Sequence, residues 1–124
     1  MEDQKRERLI ALTDALLTYN ARARDQFMNR TRKDGYTVDF YGEVKPFADE
    51  VLNLVDEWKP LVLEWIASDR PLYVHPKQIN DTYDNLTIIS VTAFQKDTRR
   101  KRFLETVTSI EFVLKTIRDA LIEV

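Results

Sequence analysis

Two segments of the chain carry apolar side chains at strictly alternating steps of three and four residues, and this pattern constrains the fold most strongly. In the second quarter of the chain the apolar positions are Val44, Phe47, Val51, Leu54, Trp58, Leu61 and Trp65. In the last segment they are Phe103, Val107, Ile110, Leu114, Ile117, Leu121 and Val124. A period of 3.5 residues is typical of helices that pack along a narrow seam in a bundle. The spacing therefore predicts one long helix in each segment.

Two further helices are predicted from broader apolar stripes. The first covers about residues 3–31, and its apolar face is formed by Leu9, Leu12, Leu16, Ala23 and Phe27. The other begins at Pro76 and ends near Phe94 or Lys96, and its apolar face is formed by Ile79, Leu86, Ile89 and Ala93. Short connections favour antiparallel neighbours. We therefore expect an all-α protein, a single up-and-down four-helix bundle over residues 1–124.

Glycine and capping residues predict the helix boundaries. Gly35 permits a positive φ after the first helix, and Thr37 or Asp39 can cap the second helix. Arg70-Pro71 ends the second helix, because a residue before proline is disfavoured in the α region. Asp97 or Thr98 can cap the fourth helix. With two glycines in 124 residues, turn-rich β architectures are disfavoured.

Pro60 lies deep inside the second predicted helix. A proline there removes one backbone hydrogen bond and clashes with the carbonyl four residues earlier, so a kink near Asp56 is expected. Its position beside Leu61 and Trp58 places the ring towards solvent, where a bend curves the helix around the core. The alternative is two helices that break near Lys59-Pro60.

Composition excludes several kinds of site. The chain has no cysteine and one histidine, so it lacks disulfides, thiolate metal sites and a cysteine nucleophile. A carboxylate-bridged metal site of the four-helix type needs Glu-x-x-His pairs, which do not occur, so no metal or other cofactor is expected. The charged N-terminus and the lack of an apolar stretch of about 20 residues predict a cytoplasmic protein without a membrane contact.

The charges are balanced overall but not along the chain. Nineteen basic residues stand against 21 acidic ones, too even for a dedicated nucleic-acid-coating protein. Residues 38–70 hold three basic and eight acidic side chains, which makes the second helix acidic. We expect this excess to complement basic faces of neighbouring helices rather than to bind a cation.

Several short motifs together resemble one bacterial family. They are Asp39-Phe40, Lys45-Pro46, Trp58, Arg70-Pro71-x-Tyr73-Val74-His75, Gln78-Ile79 and Lys101-Arg102-Phe103. This combination, strongest over residues 39–103, resembles the YppE-like family of small uncharacterised proteins, mainly from Firmicutes. The resemblance implies a compact up-and-down four-helix bundle. It implies no established activity, so it assigns no catalytic residue, and Pro60 is not part of the family pattern.

The connector before the third helix is the first candidate site. Arg70, Tyr73 and His75 place a cation, a phenol and an imidazole within six positions at one end of the bundle, which could form a small-ligand or enzyme-like site. The structural interpretation gives the same residues other roles. His75 and Gln78 then form a capping box, Arg70 binds the last carbonyls of the second helix, and Tyr73 closes the bundle end.

A dense basic run at the start of the fourth helix is the second candidate. It contains Lys96, Arg99, Arg100, Lys101 and Arg102. These cations could bind the phosphates of a nucleic-acid backbone. Cations at a helix N-terminus oppose the helix dipole, which suggests an acidic group opposite them, and the second helix of this chain is the expected partner. Nucleic-acid binding is the weaker hypothesis, since the chain as a whole is not basic.

The two tryptophans lie seven residues apart on one predicted seam. They are expected to pack in the core, and the alternative is a pocket that Trp58 and Trp65 line with Phe47, Phe103 and Phe112.

The leading functional hypothesis is a non-catalytic regulatory or adaptor protein that binds an unknown protein partner. The alternatives are a ligand site around Arg70, Tyr73 and His75, and weak phosphate-backbone binding through residues 99–102. A homodimer is also open, because a strict seam can pack against a second copy.

Overall fold

Four α-helices form an antiparallel up-and-down bundle in the computed structural model, which describes residues 1–123. They are α1 (Asp3–Gln26), α2 (Lys45–Asp69), α3 (Pro76–Thr92) and α4 (Arg100–Ile122). Each helix packs on the next, and α4 packs on α1 to close the ring. Residues 1–123 contain no strand, so the predicted all-α bundle is confirmed. Val124, the last residue of the predicted fourth seam, lies outside the described residues.

Two π-helical turns extend the helices at one end of the bundle. Phe27–Thr31 continues α1, and Phe40–Val44 precedes α2. Gly35 adopts a φ of 80° between them, as its predicted turn requires. Of the two predicted caps, Asp39 acts, because its carboxylate accepts a hydrogen bond from the Gly42 N–H at 2.9 Å. We call this the loop end; the opposite end, with residues 70–75, is the connector end.

The core follows the predicted seams of α1 and α4 closely, and that of α2 with one shift. Every predicted apolar position of α1 is buried, as are the six described positions of the α4 seam. In α2 the residues buried beside the tryptophans are Val55 and Val62, while Leu54 and Leu61 are half-buried at the flank. The prediction of Leu54 and Leu61 as seam residues is therefore wrong by one position.

Helix α2 runs without interruption through Pro60. The proline is exposed, as predicted, and its ring faces solvent. The alternative of two helices that break near Lys59-Pro60 is therefore wrong. The kink near Asp56 stays a prediction. At its end, α2 terminates with Arg70 in the left-handed conformation at φ 47°, just before Pro71, which confirms the predicted boundary.

The junction between α3 and α4 differs from its prediction in one respect. Neither Asp97 nor Thr98 caps α4, which begins after Arg99 without a side-chain cap. The Thr98 hydroxyl instead donates to the Thr92 carbonyl oxygen at 2.8 Å and so satisfies the end of α3. A side chain that already binds the preceding helix is not free to cap the following one.

The acidic surface of α2 is paired with the basic surface of α1. The contacts between them are Lys5–Glu64, Arg6–Asp69 and Arg8–Glu57, and near the loop end Arg30 pairs with Glu43. The guanidinium of Arg8 binds both carboxylate oxygens of Glu57, at 2.5 and 2.6 Å. The expectation that the charge of α2 complements its neighbours is thus confirmed.

Candidate functional site

The connector end presents the first predicted site to solvent. Arg70, Tyr73 and His75 are all exposed. Tyr73 is 76% exposed with a φ of 65°, so the expectation that it closes the bundle end is wrong; the buried residue there is Val74. Within the described chain, the side chain of Arg70 makes no hydrogen bond to the carbonyls of α2, contrary to expectation.

The start of α3 confirms part of the structural interpretation. Pro76 is the first residue of the helix, and the Gln78 side-chain oxygen accepts a hydrogen bond from the His75 N–H at 2.8 Å. This contact is the reciprocal half of a capping box. The backbone of the connector therefore has a structural role, while a ligand site at its side chains stays a prediction.

The second predicted site lies at the loop end and is free of internal salt bridges. Lys96, Arg99, Arg100, Lys101 and Arg102 are all exposed, and no ion pair among residues 1–123 includes them. Helix α4 packs against α1 and α3, so α2 lies across the bundle from it. The expectation that α2 supplies the acidic partner of this run is wrong, because among the described residues the α2 carboxylates Glu57, Glu64 and Asp69 pair with α1 and none pairs with the run.

Beside the basic run, the structure forms a groove that the sequence analysis did not predict. The loop-end groove has a volume of about 470 Å³ and is lined by Tyr36, Val38, Phe40, Val44, Val91, Phe94, Gln95, Lys96 and Asp97. Phe40 is 53% exposed at its rim, and the next residue, Tyr41, is 80% exposed. Their rings meet edge to face, with centroids 5.1 Å apart. The groove thus joins an exposed apolar surface to Lys96.

Buried hydrogen bonds hold the walls of the loop-end groove together. The Thr31 hydroxyl donates to the Ala93 carbonyl oxygen at 2.6 Å, which ties the π-turn after α1 to the end of α3. Gln26 donates to the Thr31 hydroxyl at 3.0 Å and to the Tyr36 hydroxyl at 3.2 Å. These groups are largely inaccessible to water, so their pairing favours one arrangement of the turn.

A second groove runs between α3 and α4 from the same end. The α3–α4 groove has a volume of about 380 Å³ and is lined by Asn85, Ile88, Ile89, Thr92, Gln95, Asp97, Thr98, Arg99, Arg102, Phe103 and Thr106. Gln95 and Asp97 line both grooves, so the two are neighbours across the turn at residues 95–97. The basic run therefore flanks a continuous surface.

A third cleft, between α1 and α2, has a volume of about 460 Å³ and a more polar lining. The Arg22 guanidinium lies 4.7 Å from the ring centroid of Tyr19, and the Tyr19 hydroxyl donates to Glu50. Arg30 pairs with Glu43 at 2.8 Å. The lining combines two arginines with three carboxylates, so this cleft has no single sign of charge to offer a ligand.

The two tryptophans belong to the core rather than to a pocket. Trp58 and Trp65 are buried, whereas Phe112 is 66% exposed, so the predicted aromatic pocket that includes Phe112 is wrong. The described residues contain no group of three or more His, Asp or Glu side chains positioned to bind a metal. Of the helices within residues 1–123, none is long and apolar enough to cross a membrane.

The clearest pKa shifts lie at surface contacts between helices. A hydrogen bond from Arg8 lowers the pKa of Glu57. A hydrogen bond to Asp56 at 2.7 Å raises the pKa of the Tyr83 hydroxyl, since the nearby carboxylate disfavours the phenolate. Both contacts join α2 to a neighbouring helix. The pKa shifts of Glu57 and Tyr83 therefore reflect contacts that stabilise the packing of the helices.

The sequence contained a sign of the loop-end groove. Val38, Phe40 and Tyr41 are apolar or aromatic residues in a segment outside the predicted helical stripes, and their exposure follows from having no helix to pack on. The opposite wall, from Val91 to Asp97, is distant in sequence and reaches them only in the folded chain.

This chain is similar to bacterial proteins that are uncharacterized or of unknown function. The chain is 25% identical to the uncharacterized protein YppE of Bacillus subtilis over 111 residues, which cover 90% of this chain and 89% of that protein. A crystal structure of a Listeria innocua protein of unknown function is 29% identical with a TM-score of 0.88, covering 94% of this chain and 93% of that one. The crystal structure of Bacillus subtilis YppE superimposes with a TM-score of 0.87 over 98% and 95% of the two chains.

The family model matches nearly the whole bundle. The match covers residues 13–121, from the first half of α1 to the last turn of α4, and the resemblance noted from the short motifs is confirmed. By this match the chain belongs to DUF1798, a family of bacterial domains of unknown function.

Proposed function

We propose that this chain is a non-catalytic regulatory or adaptor protein that acts in the cytoplasm and binds a protein partner at its loop end. The observation that carries the proposal is the exposed apolar rim of the loop-end groove, formed by Val38 and Phe40, with the exposed ring of Tyr41 packed against Phe40. Contiguous exposed apolar surface is uncommon on proteins that act alone, and aromatic side chains are enriched where proteins meet.

The groove is preorganised, which favours binding. The cap from Asp39 to Gly42 fixes the turn that carries Phe40 and Tyr41. The hydrogen bonds of Thr31 and Gln26 fix the opposite wall. A surface that is already ordered loses less conformational entropy when a partner binds.

The other two hypotheses have less support. At the connector end, Arg70, Tyr73 and His75 extend into solvent, an arrangement that excludes little water from a ligand. Phosphate-backbone binding is supported by the cations of residues 96–102, which form no ion pair within the described chain, but it gives no role to the apolar groove beside them. A protein partner uses both features of the surface.

Site-specific photo-crosslinking in Bacillus subtilis cells tests the proposal. A photoreactive phenylalanine analogue replaces Tyr41 at the loop end or, as the matched control, Leu72 at the connector end; both side chains are exposed. We expect one discrete protein adduct from position 41, lost when Phe40→Ser is added, and none from position 72. Absence of the adduct, or the same adducts from both positions, contradicts the proposal. Fractionation of the same cells tests the cytoplasmic assignment.

A further inference from the structure

We infer that the occupant of the loop-end surface is an acidic segment of the partner that also carries a large apolar side chain. Its apolar side chain enters the loop-end groove, and its carboxylates bind Lys96, Arg99 and Arg102 along the edge of the α3–α4 groove. This inference rests on the proposed function and specifies the chemistry of the partner.

The charge of the surface is the first support. Of the 14 basic side chains outside this run, eight form ion pairs within the described residues, some of them across helices as in Arg8–Glu57 and Arg118–Asp14. Residues 95–104 hold five cations and a single carboxylate, Asp97, and none of the five is in an ion pair among the described residues. A cluster of like charges in contact with water attracts a segment of opposite charge.

The arrangement of the two grooves is the second support. Lys96 lies at the rim of the loop-end groove, and Arg99 and Arg102 line the α3–α4 groove. Because both grooves include Gln95 and Asp97, one extended segment can pass from the first to the second. Ile88, which is exposed, adds apolar surface to the second groove.

The apolar lining favours a peptide over a nucleic acid. A phosphate backbone needs cations alone, whereas Val38 and Val91 form an aliphatic surface that recognises a hydrophobic side chain. Arginine also binds carboxylates through two parallel hydrogen bonds, which sets the position of an acidic residue. The overall charge of −2 opposes a long polyanion more than a short acidic segment.

Selection of displayed peptides tests the inference directly. Random peptides of about 12 residues are selected on the immobilised full chain, and their affinities are measured by fluorescence anisotropy. We expect enrichment of Asp and Glu together with a large apolar residue. The triple variant K96E/R99E/R102E and the double variant V38S/F40S should each weaken binding by about tenfold or more.

Matched variants at the connector end control for general effects. Arg70→Glu changes an exposed cation that pairs with no carboxylate of residues 1–123, and L72S/Y73S changes two exposed apolar side chains, so both should leave the affinity within about twofold. Circular dichroism of each variant verifies that the bundle is folded. All the substituted side chains are exposed. Two of them, Val38 and Phe40, also line the loop-end groove.

Three outcomes overturn the inference. They are a selection that yields no peptide or peptides without acidic residues, unchanged affinity in the charge-reversal variant, and displacement of the peptide by single-stranded DNA of about 20 nucleotides at equal concentration. The crosslinking experiment separates this failure from failure of the proposed function. If the adduct at position 41 still forms in K96E/R99E/R102E, the chain binds a protein partner as proposed, but the partner does not bind through an acidic segment.

Discussion

The indole N–H of Trp58 donates a hydrogen bond to the hydroxyl oxygen of Thr13 at 3.1 Å, and both side chains are fully buried. The Thr13 hydroxyl in turn donates to the Leu9 carbonyl oxygen at 2.8 Å. This chain of two bonds links α2 to the backbone of α1 inside the core. It also satisfies the one polar group of the Trp58 side chain, which burial would otherwise leave unpaired.

Replacement of Thr13 by valine should therefore destabilise the protein although the side-chain shape is kept. The change leaves the indole N–H buried without an acceptor, at a cost of about 1–3 kcal/mol in the free energy of unfolding. Urea denaturation followed by tryptophan fluorescence measures the loss. Thr13→Ser retains the hydroxyl and is the control. Equal stability of the valine variant and the wild type would show that the hydrogen bond does not stabilise the folded protein.

Trp58→Ala should cost about 3–5 kcal/mol, because it removes one of the two largest side chains of the core and leaves a cavity. The matched control is Phe112→Ala, which removes an aromatic side chain that is 66% exposed and should change stability by less than about 1 kcal/mol. Both values come from urea denaturation monitored by circular dichroism. Similar losses in the two variants would contradict the assignment of Trp58 to the core.

The Arg8–Glu57 pair should make stability depend on pH on the acidic side. Because Arg8 lowers the pKa of Glu57 in the folded protein, the pair contributes stability above the unfolded pKa of about 4.3. That contribution is lost as the pH falls through the lower, folded pKa. The difference in free energy of unfolding between the wild type and Glu57→Gln should shrink from about pH 6 to about pH 2.5.

The control for this pH dependence is Glu105→Gln. Glu105 is exposed and makes no ion pair in the described part of the chain. Its substitution should leave the acidic limb of the stability curve unchanged. A salt concentration of about 0.5 M should reduce the Glu57 difference, since both partners are partly exposed. A difference that is constant with pH would show that the pair contributes nothing.

Gly42→Ala should destabilise the turn that carries Phe40 and Tyr41. A Cβ at this position would lie 2.8 Å from Cγ of Asp39 and closer still to one carboxylate oxygen, so the cap must shift. Loss of a helix cap costs about 0.5–2 kcal/mol in the free energy of unfolding, which thermal and urea denaturation can resolve.

A double-mutant cycle with Asp39→Ala isolates this clash. When Asp39 is shortened, the added methyl group meets no carboxylate, so Gly42→Ala should then cost less than about 0.5 kcal/mol. Gly35→Ala is the comparison, because its cost arises from a φ of 80° in open space and should be the same in both backgrounds. Additive costs for Gly42 and Asp39 would refute the proposed contact.

The sequence was sufficient for the helices because burial repeats along them. The pattern in α4 admits one continuous seam, and its residues from Phe103 to Leu121 are buried as predicted. In α2, Val51, Trp58 and Trp65 belong to two possible seams, which differ in whether the position between them is leucine or valine. The neighbouring helices decide this choice, so the pattern of one helix could not.

The candidate surface was less predictable. The basic run was evident in the sequence, but its lack of an acidic partner among residues 1–123 depends on the position of α4 across the bundle from α2. The loop-end groove brings together Phe40 and Val91, which are far apart in the chain. Periodicity describes one element at a time, whereas a groove is formed where several elements meet.

The ion pairs between α1 and α2 leave the surface charge unevenly distributed along the bundle. Charges in solution are screened within about 8 Å at physiological ionic strength, whereas the 23 residues of α4 extend over about 35 Å. An anionic surface therefore meets the field of residues 96–102 only near the loop end, whereas Lys5, Arg6 and Arg8 near the other end are paired with carboxylates of α2. For the acidic partner proposed above we therefore expect end-on encounters, with the long axis of the bundle aligned before any apolar side chain makes contact.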